Sequence, residues 1–181
     1  MKKNKALFLD RDGIINLDHG YVHNKESFEF IPEIFEVCRA AIEKEYIIVV
    51  VTNQSGIGRG YFNEEQFHKL TEWMKQCFMN EGIYIQKVYY CPFHTESKVL
   101  KYKKNSKFRK PNPGMILQAR DDLTIDLEKS ILVGDKLTDI KAGINAGIKK
   151  NFLYKKNKIE NKPYERDFKV LANLKDIVEY Y

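Results

Sequence analysis

The chain has 181 residues, of which 43% are hydrophobic and 31% charged, a composition that suits one compact domain over residues 1–181 and excludes disorder over most of its length. No apolar run approaches the roughly 20 residues that cross a bilayer, and three widely spaced cysteines exclude a disulfide framework, so we expect a soluble cytoplasmic protein. The net charge of +6 favours an acidic partner, which could be nucleic acid, a membrane surface or a phosphorylated metabolite.

Apolar patterning predicts strands that alternate with helices. In chain order the predicted elements are a strand at 6–9, a helix at 34–42, a strand at 46–51, a helix opening at 63, a strand at 84–90, a helix at 115–122, a strand at 130–133, a helix at 136–145, two late edge strands at 152–154 and 168–171, and a closing helix at 174–180. Asn63 followed by Gln66 predicts a capping box at the start of the second helix. The alternation indicates an α/β fold with an open, mostly parallel, Rossmann-like sheet and helices on both faces.

Two segments show no apolar periodicity. Residues 95–110 contain Lys98, Lys101, Lys103, Lys104 and Lys107, and we expect an exposed loop there. The lysines fit a solvated face, the commoner case, or an electrostatic funnel for an anionic substrate. Residues 155–162 form a polar, basic connector.

Acidic residues follow several of the predicted strands. Asp10 and Asp12 follow the first strand, and Asp135 follows the fourth. Ligands of open parallel sheets bind outside the carboxyl ends of the strands, so these side chains should share one mouth. Because carboxylates held together repel unless a cation neutralises them, the pattern predicts a divalent ion, and hard oxygen ligands with few protein contacts suit Mg²⁺.

The spacing of the first two acids has chemical meaning. If the chain stays extended, Asp10 and Asp12 lean the same way from the strand tip. A carboxylate beside a divalent ion can attack phosphorus, and a second carboxyl group can give a proton to the departing oxygen. Taken alone, Asp12-Gly13 is equally well explained as a simple turn after a strand.

Further polar residues stand at the same strand ends. Thr52 offers a hydroxyl to a phosphoryl oxygen, Arg109 and Lys110 precede a proline-rich turn, and Lys136 opens a helix on which Asp139 lies one turn further. Each of these features has a commoner structural explanation: a turn after the strand at Thr52, a solvated basic pair at Arg109 and Lys110, and a charge pair at the helix N-terminus for Lys136. Asp139 either hydrogen-bonds within the site or caps its helix. Because all of these residues occur together at the ends of predicted strands, and in this order, the pattern favours a phosphoryl-transfer site.

Four ordered segments, ALFLDRDGIIN, VVTNQSGIGRGYF, FRKPNPGM and LVGDKLTDI, resemble the motifs of the haloacid dehalogenase-type (HAD) phosphatases. Residues 6–147 are most similar to the D-glycero-D-manno-heptose 1,7-bisphosphate phosphatase branch, with its histidinol-phosphate phosphatase cousins. The resemblance implies a HAD fold without a large cap domain. It also implies a Mg²⁺-dependent phosphatase that acts on the 7-phosphate through an aspartyl phosphate, in the synthesis of nucleotide-activated heptose.

The resemblance also implies roles for individual residues. Asp10 is the nucleophile, Asp12 the general acid and base, and Thr52 and Lys110 steady the phosphoryl group. Mg²⁺ is held by Asp10, the backbone carbonyl of Asp12 and Asp135. The residues implied to contact substrate are Asp18, His19, Gly20, Tyr21, Asn53, Gln54, Ser55, Arg59, Arg109 and Lys136.

The chain departs from the branch in one loop, where members often carry zinc on a Cys-x-His and a later Cys-x-Cys. Cys91 alone matches, because Phe93 stands at the histidine position and Ser106 and Phe108 at the two cysteine positions, with His94 one residue out of register. Two ligands are too few for a closed structural site, so we expect no zinc. The loop should then be either more mobile or packed by its two phenylalanines.

Three other functions compete with a heptose bisphosphate phosphatase. Two use related chemistry, on histidinol phosphate or on the 3′-phosphate of a polynucleotide. The third, a non-enzymatic basic module that binds nucleic acid, leaves the clustered aspartates without a purpose. We expect a monomer whose partner is a small phosphorylated sugar, with no nucleic acid and no membrane.

Overall fold

The computed structural model describes residues 3–156 and 167–181, so most of the predicted connector at 155–162 lies outside the described residues. The strands are β1 Lys5–Leu9, β2 Tyr46–Asn53, β3 Ile85–Cys91, β4 Ile131–Gly134, β5 Lys150–Tyr154 and β6 Lys169–Leu171. The α-helices are α1 Ile34–Glu43, α2 Ser55–Arg59, α3 Glu64–Asn80, α4 Gly114–Leu123 and α5 Leu137–Ala146. Short 3-10 helices cover Lys25–Ser27, Leu100–Tyr102, Leu127–Lys129 and Leu174–Tyr180.

The six strands form one parallel sheet in the order β3-β2-β1-β4-β5-β6. Alternate side chains of β1 enter two different cores: Leu7 and Leu9 pack with α1 and α3, whereas Ala6 and Phe8 pack with α4 and α5. Helices therefore cover both faces, and the predicted α/β fold class is confirmed. The predicted capping box between Asn63 and Gln66 is also present at the start of α3.

One prediction for the end of the chain is wrong. β5 is not an edge strand, since it pairs with β4 on one side and β6 on the other, and its side chains from Asn151 to Tyr154 are all buried. The edges of the sheet are β3 and β6, so the other late strand is an edge strand as predicted. The predicted closing helix is present over Leu174–Tyr180 with 3-10 geometry, and its Leu174 and Ile177 are buried in the core.

The loop at residues 95–110 is exposed only in part. Its five lysines are exposed, as predicted. Tyr102, however, is buried against Ile57 of α2 and Phe67 of α3, and Lys110 is also buried. An aromatic side chain near the middle of the loop therefore fastens it to the body of the protein.

Two long connections leave the carboxyl edge of the sheet at β1 and β3. Residues 10–33 and 92–113 contain only three-residue 3-10 helices in addition to irregular chain. The described part of the chain thus places loops, and no inserted domain, around the mouth of the sheet. None of its helices has the length and apolar character that crossing a bilayer requires.

Candidate active site

Three carboxylates converge at the carboxyl ends of β1 and β4. Asp10, Asp135 and Asp139 each offer an oxygen, and these oxygens lie within 4.8 Å of one another. Gly134 permits this approach, because a Cβ at that position would overlap the Asp139 side chain. The sequence analysis found Asp10 and Asp135 but left Asp139 with a choice of roles; its position four residues after Asp135, on the first turn of α5, is the signal that points to it.

The acidic cluster is electrostatically costly. Burial, opposed by Lys110 but reinforced by the neighbouring carboxylates, raises the pKa of Asp10 to about 7. Burial likewise raises the pKa of Asp135 to about 6, and its Oδ1 is buried with no hydrogen-bond partner among the described residues. Clustered hard oxygen atoms, one of them unpartnered, fit a divalent cation such as Mg²⁺.

Lys110 supplies the buried positive charge of the cluster. Its Nζ lies 3.0 Å from Asp10 Oδ1 and 2.8 Å from Asp139 Oδ1, and donates a hydrogen bond of 2.8 Å to the Val51 carbonyl. Asn53 fixes the Lys110 backbone, donating to its carbonyl and accepting from its N–H, both at 3.1 Å. The Asn53 side chain therefore places Lys110, and its contact with substrate stays a prediction.

The Asp12 carboxylate is tied to neighbours outside the acidic cluster. The chain bends after Asp10, and Asp12 accepts hydrogen bonds from Arg11, from Asn16 at 3.0 Å and from Gln54 at 3.0 Å. Gln54 Nε2 also lies 3.0 Å from Thr52 Oγ1, so this buried amide joins Asp12 to Thr52, and its contact with substrate stays a prediction. No role was predicted for Arg11 from the sequence.

One side of the mouth is a charged rim. Lys136 Nζ lies 3.0 Å from Asp18 Oδ2, and Asp18 Oδ1 accepts a hydrogen bond of 3.1 Å from the Gly20 N–H. These contacts bring the predicted substrate loop to the end of β4. His19 in the same loop is exposed, and Ser55 begins the short helix α2 after β2.

Aromatic and basic side chains lie in the segments that follow β1, β2 and β3. Tyr21, held at a φ of +54°, meets Tyr61 edge to face with ring centroids 4.6 Å apart, and both rings are about half exposed. Arg59 pairs with Glu96 at 3.3 Å, and Arg109 is half-buried. The structure therefore brings most of the predicted substrate-contacting residues to loops at the carboxyl edge of the sheet.

The loop expected to lack zinc is packed by its aromatic side chains. Phe93 and Phe108 are partly buried against the core that contains Cys91, and the Phe108 N–H donates to Ser106 Oγ at 3.2 Å. Arg109 reaches back to donate to the Phe93 carbonyl at 3.4 Å. Of the two expectations for this loop, packing by the phenylalanines is the one that the structure shows.

Known proteins resemble the chain over nearly all of its length. A HAD-hydrolase-like family model matches residues 107–177. The D-glycero-alpha-D-manno-heptose-1,7-bisphosphate 7-phosphatase of Burkholderia mallei is 56% identical over 146 residues, 81% of this chain and 77% of that protein. The corresponding beta-anomer 7-phosphatase of Vibrio cholerae is 45% identical over 176 residues, 97% of this chain and 95% of the relative.

Solved structures agree with these relatives. A HAD-like protein from Mesorhizobium loti superposes with a TM-score of 0.88 at 33% identity, covering 98% of this chain and 85% of that one. The D,D-heptose 1,7-bisphosphate phosphatase from B. bronchiseptica, complexed with magnesium and phosphate, gives 0.81 at 24% identity over 97% of both chains, which supports the fold alone. Sequence relatives and architecture lead to the same conclusion: the chain belongs to the D-glycero-D-manno-heptose-1,7-bisphosphate 7-phosphatase family of HAD-like hydrolases.

Proposed function

We propose that this protein is a cytoplasmic, monomeric, Mg²⁺-dependent phosphatase that removes the 7-phosphate from D-glycero-D-manno-heptose 1,7-bisphosphate. The observation that carries the proposal is the meeting of Asp10, Asp135 and Asp139 with the Lys110 ammonium at one mouth of the sheet. Relatives that are 44–56% identical are named as 7-phosphatases of this sugar. Residues 1–181 act as one domain in this proposal.

The residues of the mouth suit transfer of a phosphoryl group to a carboxylate. Asp10 attacks phosphorus while the bond to the sugar oxygen breaks, and Asp12 gives that oxygen a proton. Water then attacks the aspartyl phosphate as Asp12 takes its proton, which releases phosphate and restores Asp10. Lys110 and Thr52 stabilise the negative charge on the transferring oxygens.

Mg²⁺ bound by Asp10, Asp135, the Asp12 carbonyl and Asp139 would neutralise charge on the phosphoryl oxygens and on these ligands. The support for this site is the unpartnered Asp135 oxygen and the raised pKa values of Asp10 and Asp135. Proton and metal then compete for the same carboxylates, so metal affinity falls as the pH drops below about 7, where Asp10 and then Asp135 take up protons.

The rim fits a small substrate with more than one phosphate. Lys136, Arg59 and Arg109 place positive charge around an opening that no domain covers among the described residues. A compact bisphosphate reaches such a site without a cap, and loops supply the selectivity. The exposed Tyr21 and Tyr61 rings offer faces on which a sugar can pack.

A substrate panel tests the proposal. We expect kcat/KM for at least one anomer of the heptose bisphosphate to exceed that for histidinol phosphate and for a 3′-phosphorylated oligonucleotide by more than about tenfold, roughly 1.4 kcal/mol at the transition state. Chelation with EDTA should stop turnover, and Mg²⁺ should restore it. A tenfold preference for histidinol phosphate, or turnover of the oligonucleotide alone, would replace the proposed substrate.

We further propose that the 91–109 loop is held by side-chain packing and binds no zinc. Burial raises the pKa of the Cys91 thiol, which keeps it protonated and a poor ligand, and His94 Nδ1 is engaged by the Glu96 N–H at 3.0 Å. We expect purified protein to hold far less than one equivalent of zinc, and a zinc-selective chelator to leave its melting temperature unchanged. One tightly held equivalent of zinc would contradict this.

A further inference from the structure

Arg11 is the largest fully buried side chain of the described residues, with 1% of its surface exposed. Its guanidinium lies side-on to Asp12: Nε is 3.2 Å and Nη2 2.9 Å from Oδ1, and Nη2 is also 3.0 Å from Oδ2. Burying a guanidinium costs several kcal/mol unless a partner compensates it. The carboxylate of Asp12 is that partner, and the pair is fixed in one geometry.

Arg11 is itself held by parts of the chain that surround the mouth. Its Nη2 donates to the Val22 carbonyl at 2.6 Å, directly after the loop that carries Tyr21. Its Cζ lies 5.9 Å from the centre of the Phe67 ring on α3. These contacts hold the guanidinium in place, and a guanidinium held in this way restrains the carboxylate that it contacts.

Two further side chains donate hydrogen bonds to the Asp12 carboxylate. Asn16 donates to Oδ1 and Gln54 to Oδ2, both at 3.0 Å, so both oxygens and the plane of the carboxylate are defined. Arg11 is the only one of the three that is charged and that contacts both oxygens. The two buried cations pair with different carboxylates, since Arg11 pairs with Asp12 whereas Lys110 pairs with Asp10 and Asp139.

We propose that Arg11 is a positioning residue, which holds the Asp12 carboxyl group at the angle needed to pass a proton to the leaving oxygen. The proposal rests on the proposed phosphatase reaction, in which Asp12 is the proton donor. The side-chain contacts of the buried Arg11 are with Asp12, the Val22 carbonyl and the Phe67 ring, so Arg11 acts through Asp12. Asp12 also takes a proton from the attacking water, but kcat/KM reports only the steps up to phosphoryl transfer, where the effect of Arg11 should appear as loss of the proton that the leaving oxygen needs.

Two substrates with different leaving groups distinguish a loss of proton donation from a general loss of activity. A sugar alkoxide needs a proton in order to depart, whereas p-nitrophenolate leaves without one. Arg11→Lys keeps the positive charge but loses the pair of guanidinium N–H donors that face the Asp12 carboxylate. We expect this variant to lose about 10²-fold in kcat/KM on the heptose bisphosphate and less than about fivefold on p-nitrophenyl phosphate, with KM for the bisphosphate little changed. Arg39→Met, which removes an exposed arginine paired with Glu81, is the matched control and should behave as wild type.

A double variant separates positioning of Asp12 from general damage. In an Asp12→Asn background the proton donor that Arg11 positions is absent, so adding Arg11→Lys should cause no further loss of kcat/KM on either substrate, and circular dichroism should show that each variant is folded. Equal losses on both substrates for the single variant, no loss on either, or an additive loss in the double variant would each overturn the positioning role. Wild type that hydrolyses neither substrate would instead refute the proposed phosphatase function.

Discussion

Replacing Asp10 with asparagine should lower turnover by about 10⁴-fold or more, because an amide cannot attack phosphorus or form an acyl phosphate. The shape of the side chain is unchanged. The amide oxygen can still accept the hydrogen bond of 2.8 Å from the Arg11 N–H and can still face Lys110. Steady-state hydrolysis of the heptose bisphosphate measures the loss. Acid quench with mass spectrometry should find phosphate on Asp10 in wild type and none in the variant.

The same substitution should not weaken the fold. The pKa of Asp10 is raised from 3.8 to about 7, mainly by burial, so its contribution favours the folded state at low pH and is lost as the pH rises through 7. At pH 8 in EDTA the buried negative charge of Asp10 destabilises the folded state, and asparagine removes that charge. We therefore expect the variant to unfold at a urea concentration no lower than wild type does.

Asp121→Asn, at an exposed aspartate paired with Arg120, is the control for the Asp10 variant and should keep full turnover. Near-normal turnover by Asp10→Asn, or phosphate trapped on another residue, would remove Asp10 from its role. Loss of native circular dichroism in the variant would show that Asp10 is needed for folding and would contradict the second expectation.

Replacing Lys110 with methionine should damage both stability and catalysis. Lys110 is 3% exposed and faces Asp10 and Asp139 at 3.0 and 2.8 Å, so its loss leaves buried carboxylates without a cation. Burial alone would lower the pKa of Lys110, but the charges of Asp10 and Asp139 outweigh it and raise the pKa. Breaking a buried ion pair costs about 3–5 kcal/mol, which urea unfolding in EDTA at pH 8 would measure.

The catalytic loss of Lys110→Met should be about 10²–10³-fold in kcat, the effect of removing one donor that stabilises transition-state charge. Added Mg²⁺ should recover part of the stability, because the ion replaces some of the missing positive charge. Lys149→Met is the control: this lysine forms an exposed pair with Glu128 at 3.1 Å, and we expect no shift in its urea midpoint. A Lys110→Met midpoint equal to wild type in EDTA would contradict the electrostatic account.

Several features of the fold follow from local pattern. The apolar runs of β1 and β2 are buried on both faces, and the capping box at Asn63 needs only residues within one helical turn. Strand positions near the end of the chain were harder to assign. β5 is short and polar at its start, and its place between β4 and β6 depends on pairing partners far away in sequence.

The sequence by itself determined that Asp10 and Asp135 share one mouth, because parallel strands deliver their carboxyl ends to the same edge of a sheet. Only the tertiary structure decided how the polar atoms around them are paired. Asp139 joins the acidic cluster, and the amides of Asn53 and Gln54 hydrogen-bond to Lys110, Asp12 and Thr52, contacts that residue order does not predict. The reason is physical: a hydrogen bond or ion pair depends on distances of about 3 Å and on burial, which residue order along the chain does not specify.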